Sequence, residues 1–180
     1  QHSAYWMKTG VAQQLAKNYR VIALDVRAHG FTTIEGEPKG YNIETCVEDV
    51  NALAKHLGLK QFHLMGHSTG GMIAVRYAMQ YAVDKSTDAS NRLLSLILCN
   101  TSSSTQFSNL PDVANQAAIT FMASSFENFS WSLIIQGLKI NSGPLFAGLS
   151  AAKKSDELYE QTLKLMEDGN GKSIGAFVRS

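Results

Sequence analysis

The run Gly66-His67-Ser68-Thr69-Gly70 constrains this chain more than any other stretch. Gln61 to Met65 ahead of it reads as a short buried strand, and Gly71 to Met79 behind it reads as a helix packed along one side. Strand, G-x-S-x-G, helix is the setting of a nucleophile elbow, where the serine sits on a tight, strained turn and its hydroxyl stands clear of the backbone. The N–H of Thr69, at the helix start, is placed to help bind an oxyanion. Glycines at 66 and 70 are expected on steric grounds, since a side chain at either would collide with the neighbouring strand and helix. The alternative is a glycine-rich strand-to-helix turn with no chemistry.

Composition narrows the classes. The length of 180 residues suits one ordinary domain, and 44% apolar residues with a net charge of +1 is the balance of a globular protein. Lys and Arg are scattered with no basic stripe, so no nucleic-acid partner is expected. The longest apolar run, Leu93 to Cys99, is interrupted by Ser95 and is strand-sized, far short of the roughly 18 residues of a membrane span. Cys46 and Cys99 form no disulfide framework and read as small buried thiols, so a reducing, cytoplasmic setting is expected. His63 and His67 are four apart but straddle a strand and a turn, and no phosphate-binding glycine loop is present. No metal and no cofactor are expected. The first residue is Gln1 rather than Met, which implies processing, trimming or a fragment.

Along the chain, Ser3 to Asn18 reads as one helix with Trp6, Val11 and Leu15 inward, and Arg20 to Asp25 as a strand. A loop rich in Gly, Thr and Glu follows to Gly40. Asn42 is an N-cap for a helix with Ile43, Val47, Val50, Leu53, Ala54 and Leu57 at helical spacing, stopped by Gly58. After the serine turn and its helix, Asp84 to Asn91 is a polar surface loop and Leu93 to Cys99 a third strand. Strands alternating with helices predict a parallel sheet with crossover helices. Thr101 to Asn109 reads as a Ser/Thr-rich linker, and only helical signals follow from Pro111. The predicted division is a core over 1–104 and an all-helical cap over 105–180. Phe121, Phe126, Phe129 and Trp131 are read equally as cap core or as the wall of an apolar substrate pocket.

Three features together resemble the α/β-hydrolase superfamily in its lid-bearing esterase, lipase and lactonase branch. They are Val21-Ile22-Ala23-Leu24-Asp25-Val26-Arg27-Ala28-His29-Gly30, the helix from Asn42 to Gly58, and Gly66-His67-Ser68-Thr69-Gly70-Gly71. Ala28 and His29 depart from the commonest form, in which a glycine follows the arginine. The resemblance implies an α/β fold, here a partial parallel sheet plus a helical cap. It also implies the catalytic order nucleophile, acid, histidine. The histidines are His2, His29, His56, His63 and His67, and none follows Ser68. The expectation is therefore a chain trimmed at both ends and inactive alone, with the triad acid, its histidine and a His-Gly oxyanion loop outside it. A missing strand would then leave a gap between the Arg20–Asp25 and Gln61–Met65 strands. They would either pair directly or stay open.

The expected activity is hydrolysis of an ester, lactone or related carbonyl compound through an acyl-enzyme on Ser68, with Thr69 donating to the oxyanion. His67, Phe121, Phe126, Phe129 and Trp131 are candidate substrate contacts. His29 is read as fixing its loop, and Asp25 as structural, tied to Arg27 or to loop N–H groups. A Ser at the elbow argues against chemistry that needs a carboxylate nucleophile. The competing expectation is a non-catalytic relative that binds a small apolar ligand under the cap.

Overall fold

Asn42 starts the longest helix of the N-terminal half with a reciprocal cap. Its Oδ1 accepts the Thr45 N–H at 2.8 Å, and the Asn42 N–H points back to Thr45 Oγ1 at 3.4 Å. The helix, α3, runs Ile43–His56. It closes with the Leu59 N–H on the Ala54 carbonyl and the Gly58 N–H on the Lys55 carbonyl, with Gly58 at φ 62. That pair of bonds is a Schellman stop. Both ends fall where the sequence places them.

The computed structural model describes residues 2–27, 29–32, 40–82, 92–102 and 111–128, with the side chains of 118, 122 and 126 excepted. Ahead of α3 lie α1 (Ala4–Lys8) and α2 (Val11–Leu15). After it come β1 (Phe62–His67), α4 (Thr69–Tyr77) with a π-helical turn over Ala78–Ala82, β2 (Leu93–Cys99) and α5 (Asp112–Asn128). These residues divide into two compact units. One holds the segment up to Thr32 and Phe121 onward, and the other runs from Gly40 to Thr120.

In the second unit, β1 and β2 pair in parallel, from Phe62 opposite Leu93 to His67 opposite Cys99, with α4 in the crossover between them. Leu94 is an extra residue on β2, since the register shifts between Phe62 and His63. A parallel sheet face must be covered; α4 packs against both strands, and α3 packs against α4. Cys46, Val47 and Ala54 of α3 and Ile73, Ala74 and Tyr77 of α4 are buried. The Tyr77 ring lies 5.8 Å from that of Phe62 and 5.0 Å from that of Tyr81. Outside this core, Glu48 accepts from Gln80 Nε2 at 2.8 Å and from the Tyr81 hydroxyl at 2.7 Å.

Three sequence expectations need correction or limits. Ser3 to Asn18 is not one helix, because Gly10 at φ 77 divides it into α1 and α2. Its buried residue is Ala12, while Leu15 is exposed. Arg20 to Asp25 forms no strand, and among the described residues β1 pairs with β2 alone. Val21 and Ile22 are exposed. A β-branched run favours extended backbone, but a strand exists only where a neighbour takes up its N–H and C=O groups. The helix expected after Pro111 begins as α5. The linker from residue 103, the cap beyond residue 128, and Phe129 and Trp131 lie outside the described residues.

Candidate active site

Ser68 stands between the last residue of β1 and the first of α4, at φ 53 and ψ −124. A residue with a Cβ seldom adopts that conformation, and holding it there costs on the order of 1–3 kcal/mol. The surrounding backbone enforces it. The Ser68 N–H donates to the Cys99 carbonyl at 3.1 Å, extending the β1–β2 ladder by one bond. Its carbonyl accepts the Gly71 N–H at 2.8 Å and the Met72 N–H at 3.3 Å, the first bonds of α4. The Ser68 side chain does not cap α4, and Ser68 is exposed. Thr69 is the first residue of α4, so its N–H has no acceptor within the helix and faces out from the positive end.

Close approach of β1 and α4 fixes the glycines. A Cβ on Gly66 would lie 2.2 Å from the Gly70 carbonyl oxygen, so only glycine fits. The expectation for Gly70 is corrected, because a Cβ there meets nothing within 4 Å. The second steric demand sits one residue later. A Cβ on Gly71 would lie 2.5 Å from Thr101 Cβ. Thr101 also donates from Oγ1 to the Ser68 carbonyl at 2.7 Å. In the sequence Thr101 reads as the start of a linker. Its position is the missed signal: Thr101 follows the C-terminal end of a parallel strand, the edge where sites of open α/β sheets gather.

His67, the neighbour of Ser68, ends β1 and is half-buried, and burial lowers its pKa below the ordinary histidine value. It is uncharged at neutral pH. Phe121 lies on α5 with 74% of its surface exposed. The structure thus brings together Ser68, Thr69 and His67 in one turn. Phe121 belongs to the other unit, and of the Phe126 side chain nothing is described.

In that other unit, Asp25 is buried and gathers loop N–H groups, as expected. Its carboxylate accepts the N–H of Ser3 and that of Phe31, the latter at 3.0 Å, and its carbonyl accepts the Thr32 hydroxyl at 2.5 Å. Burial pushes the carboxyl up, but the Phe31 and Ser3 N–H groups outweigh it and hold the pKa below the ordinary value. His2 Nδ1 approaches Asp25 at 3.7 Å, yet that nitrogen already accepts the Ala4 N–H at 3.0 Å. Gly30 packs on the carboxylate so closely that a Cβ would lie 2.3 Å from Oδ2. His29 is pinned, with Nδ1 2.9 Å from the Arg27 carbonyl, and burial is the main reason its pKa falls to about 4. Its loop-fixing role stands on that geometry. Among the described residues no group of three His, Cys, Asp or Glu could hold a metal ion, and no helix is long and apolar enough to cross a membrane.

The family model for the α/β-hydrolase fold matches residues 1–164. A proline iminopeptidase of Clostridioides difficile is 42% identical over 72 residues, which are 39% of this chain and 25% of that protein. An N-formylmaleamate deformylase of Pseudomonas putida is 39% identical over 72 residues, 40% of this chain and 26% of that protein. The matched part thus amounts to about a quarter of each of these relatives. Among solved structures, a thermophilic esterase from Thermogutta terrifontis superposes with a TM-score of 0.74 at 20% identity, over 99% of this chain and 58% of that one.

Proposed function

Since the chain belongs to the α/β-hydrolase fold family, we propose that it serves as the nucleophile-bearing part of a serine hydrolase acting on an ester, lactone or related carbonyl compound. The observation that carries this reading is the backbone of Ser68. A non-glycine residue at φ 53 and ψ −124, on a strand-to-helix turn, with its hydroxyl unused as a cap, is a strained position with no structural return.

In this reading Ser68 Oγ attacks the carbonyl carbon, and the hydroxyl proton passes to a general base as the C–O bond forms. The Thr69 N–H then binds the tetrahedral oxyanion, a contact of about 3 kcal/mol in sites of this kind. The leaving group departs with a proton, and water hydrolyses the acyl-enzyme by the same route. Neither His29 nor His67 is assigned as the base. His29 is held on the Arg27 carbonyl. His67 adjoins Ser68 on the elbow, where successive side chains point to different sides. No histidine follows Ser68 in these 180 residues, so we propose that they show no turnover by themselves.

The relatives support the broad reaction class and not the substrate. Their names span an iminopeptidase and a deformylase, and a structural neighbour is an esterase. One fold hosts many acyl acceptors and donors. The test is hydrolysis of p-nitrophenyl esters by the full-length protein and its Ser68→Ala variant. The variant should lose about a thousandfold or more in kcat with unchanged Tm. Undiminished turnover in Ser68→Ala would refute the reading.

A further inference from the structure

We propose that Thr101 is a positioning residue that aims the oxyanion donor by holding the Ser68 carbonyl. The inference rests on the reading of Ser68 as nucleophile. The Ser68–Thr69 peptide is planar, so its C=O and its N–H point in opposite directions, and whatever fixes one fixes the other. The first turn of α4 binds that carbonyl through the Gly71 N–H at 2.8 Å and, more loosely, the Met72 N–H at 3.3 Å. The Thr101 hydroxyl, at 2.7 Å, is the shortest of the three and comes from outside the helix. It ties the peptide to the end of β2, the same strand end whose Cys99 carbonyl holds the Ser68 N–H at 3.1 Å. Both sides of the strained residue are therefore anchored to β2. A donor on the carbonyl also polarises the peptide and strengthens the N–H at its other end.

Two further features place Thr101 there. Asn100 takes φ 45, a left-handed conformation that asparagine tolerates better than most residues, and this turns the chain from the end of β2. Gly71 leaves the space that the threonine side chain fills, since a Cβ at 71 would lie 2.5–2.6 Å from three Thr101 atoms. A glycine inside a helix weakens it, and here it makes room for one side chain on the Ser68 carbonyl.

The test compares wild type, Thr101→Val and Thr101→Ser in the full-length protein, with Ser68→Ala as the reference for Ser68-dependent turnover. Valine keeps the packing and removes the hydroxyl, whereas serine keeps the hydroxyl and removes a methyl. Thr101→Val should lower kcat for a p-nitrophenyl ester roughly tenfold to a hundredfold with KM within about twofold, a fraction of what losing an oxyanion donor costs. Thr101→Ser should stay within about threefold of wild type. Wild-type kcat in Thr101→Val, or an equal fall in Thr101→Ser, would overturn the proposal by showing no role or a packing role. If valine prevents folding, Thr101→Ala takes its place beside Thr101→Ser: a fall in alanine with retention in serine supports the hydroxyl's role, and wild-type kcat in alanine, or an equal fall in both, overturns it. Wild-type turnover that persists in Ser68→Ala would remove the premise, and is told apart from the other outcomes by that reference.

Discussion

At Ser68 the backbone is held between two regular elements, by their N–H and C=O groups and the Thr101 hydroxyl, whereas at Asp25 the chain is folded around one carboxylate. The Ser68 turn takes its N–H bond from β2 and gives its carbonyl to α4. The carboxylate of Asp25 instead draws in the N–H groups of Ser3 and Phe31, and Gly30 closes over it. The first arrangement fixes a strained residue between two regular elements. The second orders a segment in which α1 and α2 have five residues each and the β-branched run forms no strand. The elbow should therefore be sensitive to volume, and the Asp25 turn to charge and pH.

The largest effect expected from this contrast is steric. Gly66→Ala puts a Cβ against the Gly70 carbonyl, a backbone atom that cannot rotate away, and should cost about 3 kcal/mol or more. Gly70→Ala meets open space and should be neutral or stabilising by about 0.5–1 kcal/mol, as for glycine replaced in a helix. Denaturant unfolding of the two variants checks this, and equal losses would show that β1 and α4 are not packed as described.

Next comes the electrostatic arm. Asp25→Asn keeps the shape but turns one acceptor into a donor facing N–H groups, and should cost roughly 2–3 kcal/mol. The pH dependence has a defined sign. The pKa of His29 is about 4 in the folded chain and 6.5 when unfolded, so between these values the unfolded chain binds a proton that the folded one refuses. Stability present above pH 6.5 is therefore lost as pH falls toward 4, by an amount on the order of 2–3 kcal/mol. The depressed Asp25 carboxyl adds a second loss at more acid pH, as pH falls through its folded value. Unfolding midpoints across this range should slope in wild type and flatten between pH 6.5 and 4 in His29→Gln. The smallest effect is at the cap of α3, where Asn42→Ala should cost about 1 kcal/mol by thermal melting.

What the sequence disclosed follows the same division. The bounds of β2 at Leu93 and Cys99, the cap at Asn42, the stop at Gly58 and the turn at Ser68 were all legible. Each is set by residues within a few positions of one another, so periodicity and local chemistry suffice. The break at Gly10 was not legible, because a glycine inside a helical pattern is often tolerated. Nor was the lack of a strand at Arg20 to Asp25, because strand formation depends on a partner distant in sequence. Thr101 was hidden for the same reason. Its bond to Ser68 spans 33 positions, and a threonine after a strand looks like the start of any linker. Gly70 and Gly71 look alike in sequence, and only the position of Thr101 tells which must be glycine.

Covalent labelling shows whether Ser68 is the nucleophile. A fluorophosphonate probe reacted with the full-length protein, followed by peptide mass mapping, should give one adduct, on Ser68, and none in Ser68→Ala. An adduct on another residue, or none at all in a folded protein, would exclude Ser68 as the nucleophile.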